Sequence, residues 1–336
     1  MVLAVTDAAV FAHETGPGHP ESTARAVAAV AALDDPVLRE QIVRVPTAAA
    51  PIDALVAVHD PGMVDRLLAL RGCAGSLDAD TTIGPDSVDA ALRAAGSGLV
   101  AIDALRRDGG ERHRGAFCVV RPPGHHATSR RPMGFCLFNN LAVATRSLVD
   151  SGERVLVADF DAHHGNGTQE IFWNEPRVLF VSWHQSPLYP NSGGLDEIGG
   201  PDAMGSTVNV PIPAGSTGGV VRDTIESVIG RIVEGFRPTW LLVSAGFDAH
   251  HADPLTDLGF SDTDFGAITA MLSRMVDPGR VVAFLEGGYD LEALGRCVAS
   301  TVGALAGERL GSEPETIAGP AARNLVRSVE CAQGLR

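Results

Sequence analysis

Asp161 and His163 lie two residues apart behind a predicted strand, so their side chains project to the same side and can bind one cation. Asp248 also follows a predicted strand and would supply a third ligand. One imidazole and two carboxylates with an open position suit Zn²⁺ as a Lewis acid, and water bound to zinc becomes a nucleophile near neutral pH. Fe²⁺ or Co²⁺ fits the same ligand set. A D-x-H pair alone also occurs in ordinary cores and surfaces; the neighbouring loops favour a metal site.

Two adjacent histidines, His125 and His126, follow a rigid Pro-Pro-Gly turn. That turn could place both imidazoles beside the metal, where one of them can take a proton from water. A histidine base needs its second ring nitrogen anchored, and Asp159 and Asn166 lie close to the metal ligands in suitable positions. A charged and a neutral partner would give the two histidines different pKa values. The alternative is that the pair only caps a loop through hydrogen bonds.

Tyr289 follows Glu286 and two glycines directly after a predicted strand. Glycines let the backbone approach closely, and the phenol could donate a hydrogen bond to the oxyanion that forms when water attacks a carbonyl. The alternative is a buried tyrosine that packs on the sheet. Phe135 and Tyr189 could form the walls of a narrow apolar slot, although aromatic residues more often belong to a core.

Short apolar runs, each bounded by glycine, proline or polar clusters, predict strands that are buried on both faces. These runs cover residues 116–120, 155–159, 178–183, 240–245 and 281–286. Helical patterns alternate with them and cover residues 86–107, 139–150, 219–235, 263–276, 291–307 and, last, 313–331. The alternation predicts an α/β fold with a doubly wound parallel sheet. Functional groups gather at the carboxyl ends of such strands, so the four polar motifs that follow strands could converge on one site.

The composition excludes several classes of protein. All 26 basic residues are arginine, which rules out a P-loop lysine, a Schiff-base lysine or a lysine base. The net charge of −15 argues against a nucleic-acid surface. Five cysteines form no C-x-x-C pair, which favours a reducing, cytoplasmic location. We predict no signal peptide, no membrane span and one domain over residues 1–336, and the abundance of Ala, Gly and Arg suggests a bacterial source.

Five motifs together resemble the class II histone deacetylase and acetylpolyamine amidohydrolase family. They read RPPGHHA from Arg121, GFCLFNN from Gly134, DFDAHHGNGTQ from Asp159, SAGFDAHHADPL from Ser244 and LEGGYD from Leu285. The resemblance starts with HETGPGHPE at residues 13–21 and continues in the family's order to Tyr289. It implies the arginase/deacetylase fold, a single domain whose central parallel sheet of about eight strands has helices on both faces. It also implies zinc-dependent hydrolysis of an N-acyl amide at the end of a narrow tunnel.

The resemblance further implies a role for each matching residue. The zinc ligands would be Asp161, His163 and Asp248. The catalytic residues would be His126 as general base and acid, His125 as its electrostatic neighbour, Tyr289 as the group that polarises the carbonyl, and Asp159 and Asn166 as partners of the two histidines. The tunnel would be lined by Phe135, Tyr189, Gly134, Leu255, Gly288 and, in the inner channel, Arg25.

Structural K⁺ sites held mostly by backbone carbonyls are a further implication of the resemblance. One site would involve Asp159, Asp161, His163, Ser182 and Trp183, and the other Phe172, Glu175, Val178 and Ser206. The chain departs from the family pattern in three loops, where HPERPER reads HPESTAR, PGTG reads PNSGG and PPGTGD reads PAGSTGG. These departures affect loop shape, one cation site and substrate preference, but they remove no metal ligand.

Several substrates and two other functions stay open at this stage. The substrate would be an acylated lysine peptide or an acylated small amine; Leu255 stands where polyamine-selective relatives tend to carry glutamate, which weakens the polyamine interpretation. An arginase-type ureohydrolase would need two Mn²⁺ ions, yet Gly165 and Gly246 occupy the positions of the extra carboxylates. A catalytically inactive module that binds acylated ligands is the other alternative. Family members include monomers, dimers and tetramers, so the oligomeric state is open.

Overall fold

Ten strands occur in the computed structural model, which describes residues 1–320 and 322–335. In chain order they are β1 (Val2–Val5), β2 (Ile42–Val45), β3 (Gly75–Ser76), β4 (Thr82–Ile83), β5 (Gly115–Cys118), β6 (Val155–Asp159), β7 (Val178–Gln185), β8 (Thr207–Ile212), β9 (Trp240–Ala245) and β10 (Val281–Leu285). Strands β3 and β4 pair as a small antiparallel hairpin. The other eight form one parallel sheet in the order β2-β1-β5-β10-β9-β6-β7-β8.

Helices connect successive strands and cover both faces of this sheet. They are α1 (Thr23–Ala32), α2 (Ile52–Val56), α3 (Pro61–Leu68), α4 (Ser87–Asp108), α5 (Asn140–Asp150), α6 (Asn166–Phe172), α7 (Gly218–Thr224), α8 (Gly230–Phe236), α9 (Asp262–Ser273), α10 (Leu291–Ala306) and α11 (Ala322–Ala332). A 3₁₀ turn covers Ala8–Phe11, and a π-helical segment, Ile225–Ile229, joins α7 to α8.

The sheet separates two apolar cores. Helices α2 to α5 bury side chains such as Leu92 and Leu141 against one face, and α1 and α7 to α11 bury side chains such as Phe265 and Val298 against the other. Every residue of β6, β9 and β10 is buried, as expected for strands covered on both faces. The predicted α/β fold with a parallel sheet of eight strands is therefore confirmed.

Three strands of the sheet escaped the sequence pattern. Strand β2 lies at one edge, none of its residues is fully buried, and Arg44 interrupts its hydrophobic run. Strand β8 lies at the other edge and contains Asn209 and Pro211; an edge strand tolerates proline because one row of its backbone groups faces outward. Strand β1 is central, but it has only four residues.

The predicted helix over residues 313–331 is wrong in its first half. Helix α11 covers only Ala322–Ala332, because Pro314 and Pro320 lack the backbone N–H that a helix interior requires. Residues 313–316 instead bond to the start of α9 through its acidic residues Asp262 and Asp264. The predicted helix over residues 219–235 forms as α7 and α8, with the π-helical segment between them.

Two helices begin immediately after segments that the sequence marks as functional. Asn139 starts α5 by accepting the Ala142 N–H with its side chain, and Asp290 starts α10 by accepting the Ala293 N–H. These caps fix where the preceding loops end. Within residues 1–320 and 322–335, no helix is both long and apolar enough to cross a membrane.

Candidate active site

Four neighbouring strands, β5, β10, β9 and β6, end side by side at one edge of the sheet. The loop after β5 carries the two adjacent histidines, the loop after β6 carries the D-x-H motif, and the loops after β9 and β10 carry Asp248 and Tyr289. Parallel strands bring their carboxyl ends to one edge, so these four loops meet there.

The three expected metal ligands form one group. The ligand atoms of Asp161, His163 and Asp248 all lie within 4.8 Å of one another, and both carboxylates are fully buried. The Nδ1 atom of His163 lies 2.9 Å from Asp248 Oδ2 and 3.2 Å from Asp161 Oδ1. Burial would lower the pKa of His163, but the carboxylates of Asp248 and Asp161 raise it to about 10. The same negative potential favours a cation at this position, and one nitrogen with two oxygens suits Zn²⁺.

Two glycines leave room for this group and exclude further ligands. A Cβ at Gly246 would lie 1.9 Å from Asp161 Oδ2, and a Cβ at Gly165 would lie 2.2 Å from Asp159 Oδ2. Neither position can hold a side chain without moving a buried carboxylate. The two extra carboxylates that an arginase-type pair of ions would need therefore have no space here.

The histidine pair stands beside the metal group, and each ring has a different anchor. The imidazoles of His125 and His126 lie 4.0 Å apart between centroids. His125 Nδ1 donates to Asp159 Oδ2 at 3.0 Å, and His126 Nδ1 donates to Asn166 Oδ1 at 2.8 Å. In neutral His126 the proton therefore sits on Nδ1, which leaves Nε2 free to accept one.

These anchors separate the two histidines electrostatically. Burial alone would lower the pKa of His125, but the carboxylates of Asp161 and Asp159 outweigh it and raise the pKa to about 10. Burial, together with the imidazoles of His125 and His163, holds the pKa of His126 well below its usual range. The pair thus contains one charged and one neutral imidazole, an arrangement suited to proton transfer by His126.

Tyr289 lies next to Arg25 and Phe135. The guanidinium carbon of Arg25 lies 4.9 Å from the centre of the Tyr289 ring, and its Nε donates to the Gly288 carbonyl at 2.6 Å. Arg25 is itself fully buried and ion-paired with Glu21. Among the described residues, the Tyr289 hydroxyl makes no hydrogen bond to protein, so it is free to donate to a ligand.

Two aromatic rings border the approach to the histidines. Tyr189 packs edge-on against His126, with 5.2 Å between ring centres, and Phe135 lies 6.0 Å from Tyr289. Phe135 has a φ of 68°, and a Cβ on the preceding Gly134 would lie 2.5 Å from His126 Cδ2. This close approach requires glycine and brings the Phe135 ring to the site. Leu255 is 39% exposed.

The residues expected at the two K⁺ sites lie on β6, on β7 and in the segments that flank these strands. Asp159 of β6 pairs in register with Ser182 of β7, and Trp183 follows. The other set surrounds the turn between α6 and β7, where the Glu175 carboxylate is already paired with Arg146 and Arg177. The Ser206 hydroxyl is buried without a hydrogen-bond partner among the described residues, as expected for a group that could bind a cation.

Sequence reasoning missed two buried carboxylates that hold these loops together. Glu286 Oε2 accepts the backbone N–H groups of Gly124 and His125, at 2.6 and 3.2 Å. Asp253 Oδ2 accepts the Tyr289 N–H at 2.7 Å. Both acids lie inside the recognised motifs, directly before a glycine or a proline. An acidic residue at such a turn was the sequence feature that could have indicated a role in fixing the loop.

A second group of possible metal ligands, His250, His251 and Glu313, lies outside this site. Both Nε2 atoms contact the Glu313 carboxylate, at 3.0 and 3.1 Å. The Ala252 N–H donates to His250 Nδ1, so the proton of this ring sits on Nε2. Arg296 also donates to Glu313. We interpret the group as a clamp that joins the loop after β9 to the C-terminal segment; a cation would have to displace these donors.

Comparison with known proteins identifies the family of this chain. The family model described as histone deacetylase domain matches residues 19–305. The chain belongs to the histone deacetylase family. Among the relatives of this family, the chain is 38% identical to a probable deacetylase from Archaeoglobus fulgidus, over 90% of this chain and 86% of the relative. It is 35% identical to the histone deacetylase-like amidohydrolase of Pseudomonas aeruginosa, over 87% of this chain and 78% of the relative.

A solved structure extends the similarity to the whole fold. The crystal structure of the HDA15 HD domain matches with a TM-score of 0.90 at 32% sequence identity, covering 99% of this chain and 94% of that one. The chain therefore has the fold of a histone deacetylase domain, the arginase/deacetylase fold. A hydrolase that acts on acylated amines is the function that membership of this family supports.

Proposed function

We propose that this chain is a zinc-dependent amidohydrolase that removes an acetyl or other acyl group from an N-acylated amine, with acetyl-lysine in peptides as its substrate. The observation that carries the proposal is the position of His126. Its Nε2 is left unprotonated by the Asn166 hydrogen bond, and its ring lies 6.0 Å from that of His163. A proton acceptor therefore faces a group of metal ligands at the end of an aromatic-walled approach.

Asp161, His163 and Asp248 would hold the metal. Bound there, Zn²⁺ (or Fe²⁺ or Co²⁺) would supply a Lewis acid that polarises the acyl carbonyl and lowers the pKa of water. His126 Nε2 accepts the proton of the attacking water and later passes it to the amine as the C–N bond breaks. The Tyr289 hydroxyl donates to the oxyanion that forms on the carbonyl, and His125 stays charged through Asp159. The products are a carboxylate and a free amine.

The substrate follows from the approach to the site. Phe135 and Tyr189 would flank a linear alkyl chain, with Gly134 and Gly288 leaving it space and Arg25 closing the inner end. Leu255 at the rim offers no negative charge to the second amine of a polyamine, which favours a peptide. The net charge of −15 attracts cationic substrates at low salt. An acetylpolyamine or a small amide is the second candidate substrate, and a non-catalytic acyl-binding module is the other class of function.

We also propose bound K⁺ ions and a cellular location for this enzyme. Structural K⁺ would be bound mostly by carbonyls, in one site by Asp159, Asp161, His163, Ser182 and Trp183, and in the other by Phe172, Glu175, Val178 and Ser206. The buried Ser206 hydroxyl, which has no hydrogen-bond partner among the described residues, supports the second of these sites. We also propose one domain over residues 1–336 and a cytoplasmic, bacterial enzyme; all five cysteines are unpaired, which agrees with a reducing compartment.

The test is acetate release from acetyl-lysine peptides, acetylated polyamines and longer acyl-lysines by metal-loaded protein, with Tyr289→Phe in parallel and His251→Ala as a matched control outside the site. We expect turnover on peptides that falls about 10²-fold or more in Tyr289→Phe and is unchanged in His251→Ala. Activity confined to polyamines would contradict the interpretation of Leu255. No activity from folded, metal-bound protein would favour a specialised small amide or a binding role.

A further inference from the structure

Asp253, in the loop after β9, is a carboxylate with an unusual set of partners. It is 7% exposed, its Oδ2 accepts the Tyr289 N–H at 2.7 Å, and its Oδ1 accepts the Leu255 N–H at 2.9 Å. Among the described residues it makes no ion pair with arginine or histidine. Its own N–H donates to the His250 carbonyl, so the turn that carries it is fixed.

Asp253 contacts the loop between β10 and α10, which depends on hydrogen bonds from other segments for its conformation. Residues 286–290 join β10 to α10, and two of them are glycines, with Gly288 at a φ of 114°. Other residues hold the beginning of this loop: Asp161 accepts the Gly287 N–H, and Arg25 donates to the Gly288 carbonyl. The Tyr289 peptide itself is held by Asp253. Arg25 holds the carbonyl of the same peptide group, so Asp253 and Arg25 together fix the Gly288–Tyr289 peptide, and without Asp253 its N–H would have no hydrogen-bond partner among the described residues.

Burying a carboxylate at this position costs free energy. A buried charge without a counter-charge loses hydration, and the neighbouring ligand Asp248 adds repulsion. Hydrogen bonds from backbone amides offset part of this cost, but an apolar residue would avoid the cost of desolvation altogether. The geometry that the carboxylate imposes is therefore its most direct consequence: it joins the loop of the third metal ligand to the loop of the oxyanion donor.

We infer that Asp253 is a positioning residue that sets the Tyr289 hydroxyl against the substrate carbonyl by holding the Tyr289 backbone N–H. The inference rests on the proposed function for its catalytic consequence, but the positioning itself is independent of turnover. Electrostatic stabilisation by a single donor depends on its placement, and a displacement of about 1 Å can lower a rate about 10²-fold.

The first experiment is a double-mutant cycle between Asp253→Asn and Tyr289→Phe on metal-loaded protein. Asparagine keeps the volume of aspartate and places an N–H group against one of the two amides. We expect Asp253→Asn to lower kcat about tenfold or more with KM changed less than about twofold, and to have less than about a twofold effect in the Tyr289→Phe background. The matched control is Asp262→Asn, because Asp262 is also buried and accepts two backbone amides, those of Ser312 and Glu313, neither of which belongs to the candidate active site.

The second experiment is hydrogen exchange of residues 286–290 by NMR or mass spectrometry, which requires neither turnover nor metal. In the wild-type protein, the Tyr289 amide should exchange more slowly than that of Gly288, which donates no hydrogen bond among the described residues. Asp253→Asn should speed exchange at Tyr289, and Asp262→Asn should not. If Asp253→Asn does not fold, Asp253→Ser serves for the same measurements, and the wild-type comparison needs no variant.

The outcomes separate the two proposals. Equal losses of kcat in both backgrounds, loss of metal from Asp253→Asn, or unchanged exchange at Tyr289 would each overturn the positioning role. Faster exchange in a protein that hydrolyses none of the acylated amines would support the positioning of Tyr289 and overturn the proposed function instead.

Discussion

Two histidine pairs that look alike in the sequence have opposite surroundings in the structure. His125–His126 has ring centres 4.0 Å apart and His250–His251 has them 4.3 Å apart. In the first pair, each Nδ1 is bound by a different acceptor, and both rings lie beside the metal group: His125 Nε2 is 3.8 Å from Asp161 Oδ1, and the ring of His126 is 6.0 Å from that of His163. In the second pair, both Nε2 atoms are bound by Glu313. A histidine can act as a base when one nitrogen is anchored and the other is available to the reacting group. His126 is in this state beside the metal ligands, whereas both nitrogens of His250 are bound and His251 lies outside the site.

The largest effect is expected from removing one acidic residue from each of the two groups of possible metal ligands. Asp248→Ala should lose the metal and reduce turnover below detection, because the remaining aspartate and histidine cannot complete the site. Glu313→Ala, in the clamp, should keep the metal content of the wild type. Metal analysis of both purified proteins checks this. Retention of metal by Asp248→Ala, or loss from Glu313→Ala, would exchange the roles of the two groups.

Removing one ring from each pair sharpens the contrast. His126→Ala should lower kcat about 10²- to 10⁴-fold while the metal stays bound, because the proton acceptor is lost and the three ligands are not. His251→Ala, a ring that is half exposed, should keep the wild-type kcat. Steady-state kinetics alongside metal analysis distinguishes the two. Comparable losses in both variants would mean that neither pair is specifically catalytic.

A third environment extends the comparison to His59, a buried histidine whose hydrogen-bond partners are backbone groups rather than carboxylates. His59 Nδ1 donates to the Thr128 carbonyl and its Nε2 accepts the Asn139 N–H, so the ring is neutral. Burial lowers the pKa of His59 to about 4, whereas the carboxylates near His125 have the opposite effect. Below the unfolded pKa of 6.5, the unfolded chain therefore takes up a proton that the folded chain does not.

We expect this site to remove stability as the pH falls from 6.5 towards 4, by up to about 3 kcal/mol, with no further loss once the folded chain is also protonated. Denaturant unfolding across this range measures the slope. His59→Gln, which cannot take up a proton, should show a shallower dependence than the wild type. Identical slopes in the two proteins would show that His59 is not responsible.

The sequence predicted the central elements well and the edges poorly. Strands β6 and β9 have the predicted bounds, because continuous apolar runs buried on both faces leave little ambiguity. Edge strands β2 and β8 are partly polar, so their patterns resemble loops. The predicted C-terminal helix begins too early, because Pro314 and Pro320 lack the backbone N–H groups that a helix interior requires.

The site residues follow the same logic. Motifs named the groups that can do chemistry, but whether a histidine pair faces the metal depends on partners that meet only in the fold. Asp159 lies 34 residues from His125, and Glu313 lies 62 residues from His251. Asp253 and Glu286 escaped notice because their contacts are with backbone amides, which carry no signal in side-chain patterns.

The smallest expected effect belongs to the clamp itself. Glu313→Gln keeps the size of the side chain but removes the charge that holds His250, His251 and Arg296, and we expect a loss of about 1–2 kcal/mol in the free energy of unfolding with kcat unchanged. Glu308→Gln is the matched control, because Glu308 is exposed and makes no ion pair within residues 1–320 and 322–335. The clamp joins the C-terminal segment to the loop that also carries Asp248. A fall in kcat without a change in stability would therefore show that it acts on the catalytic loop, and the contrast between the two histidine pairs would have to be revised.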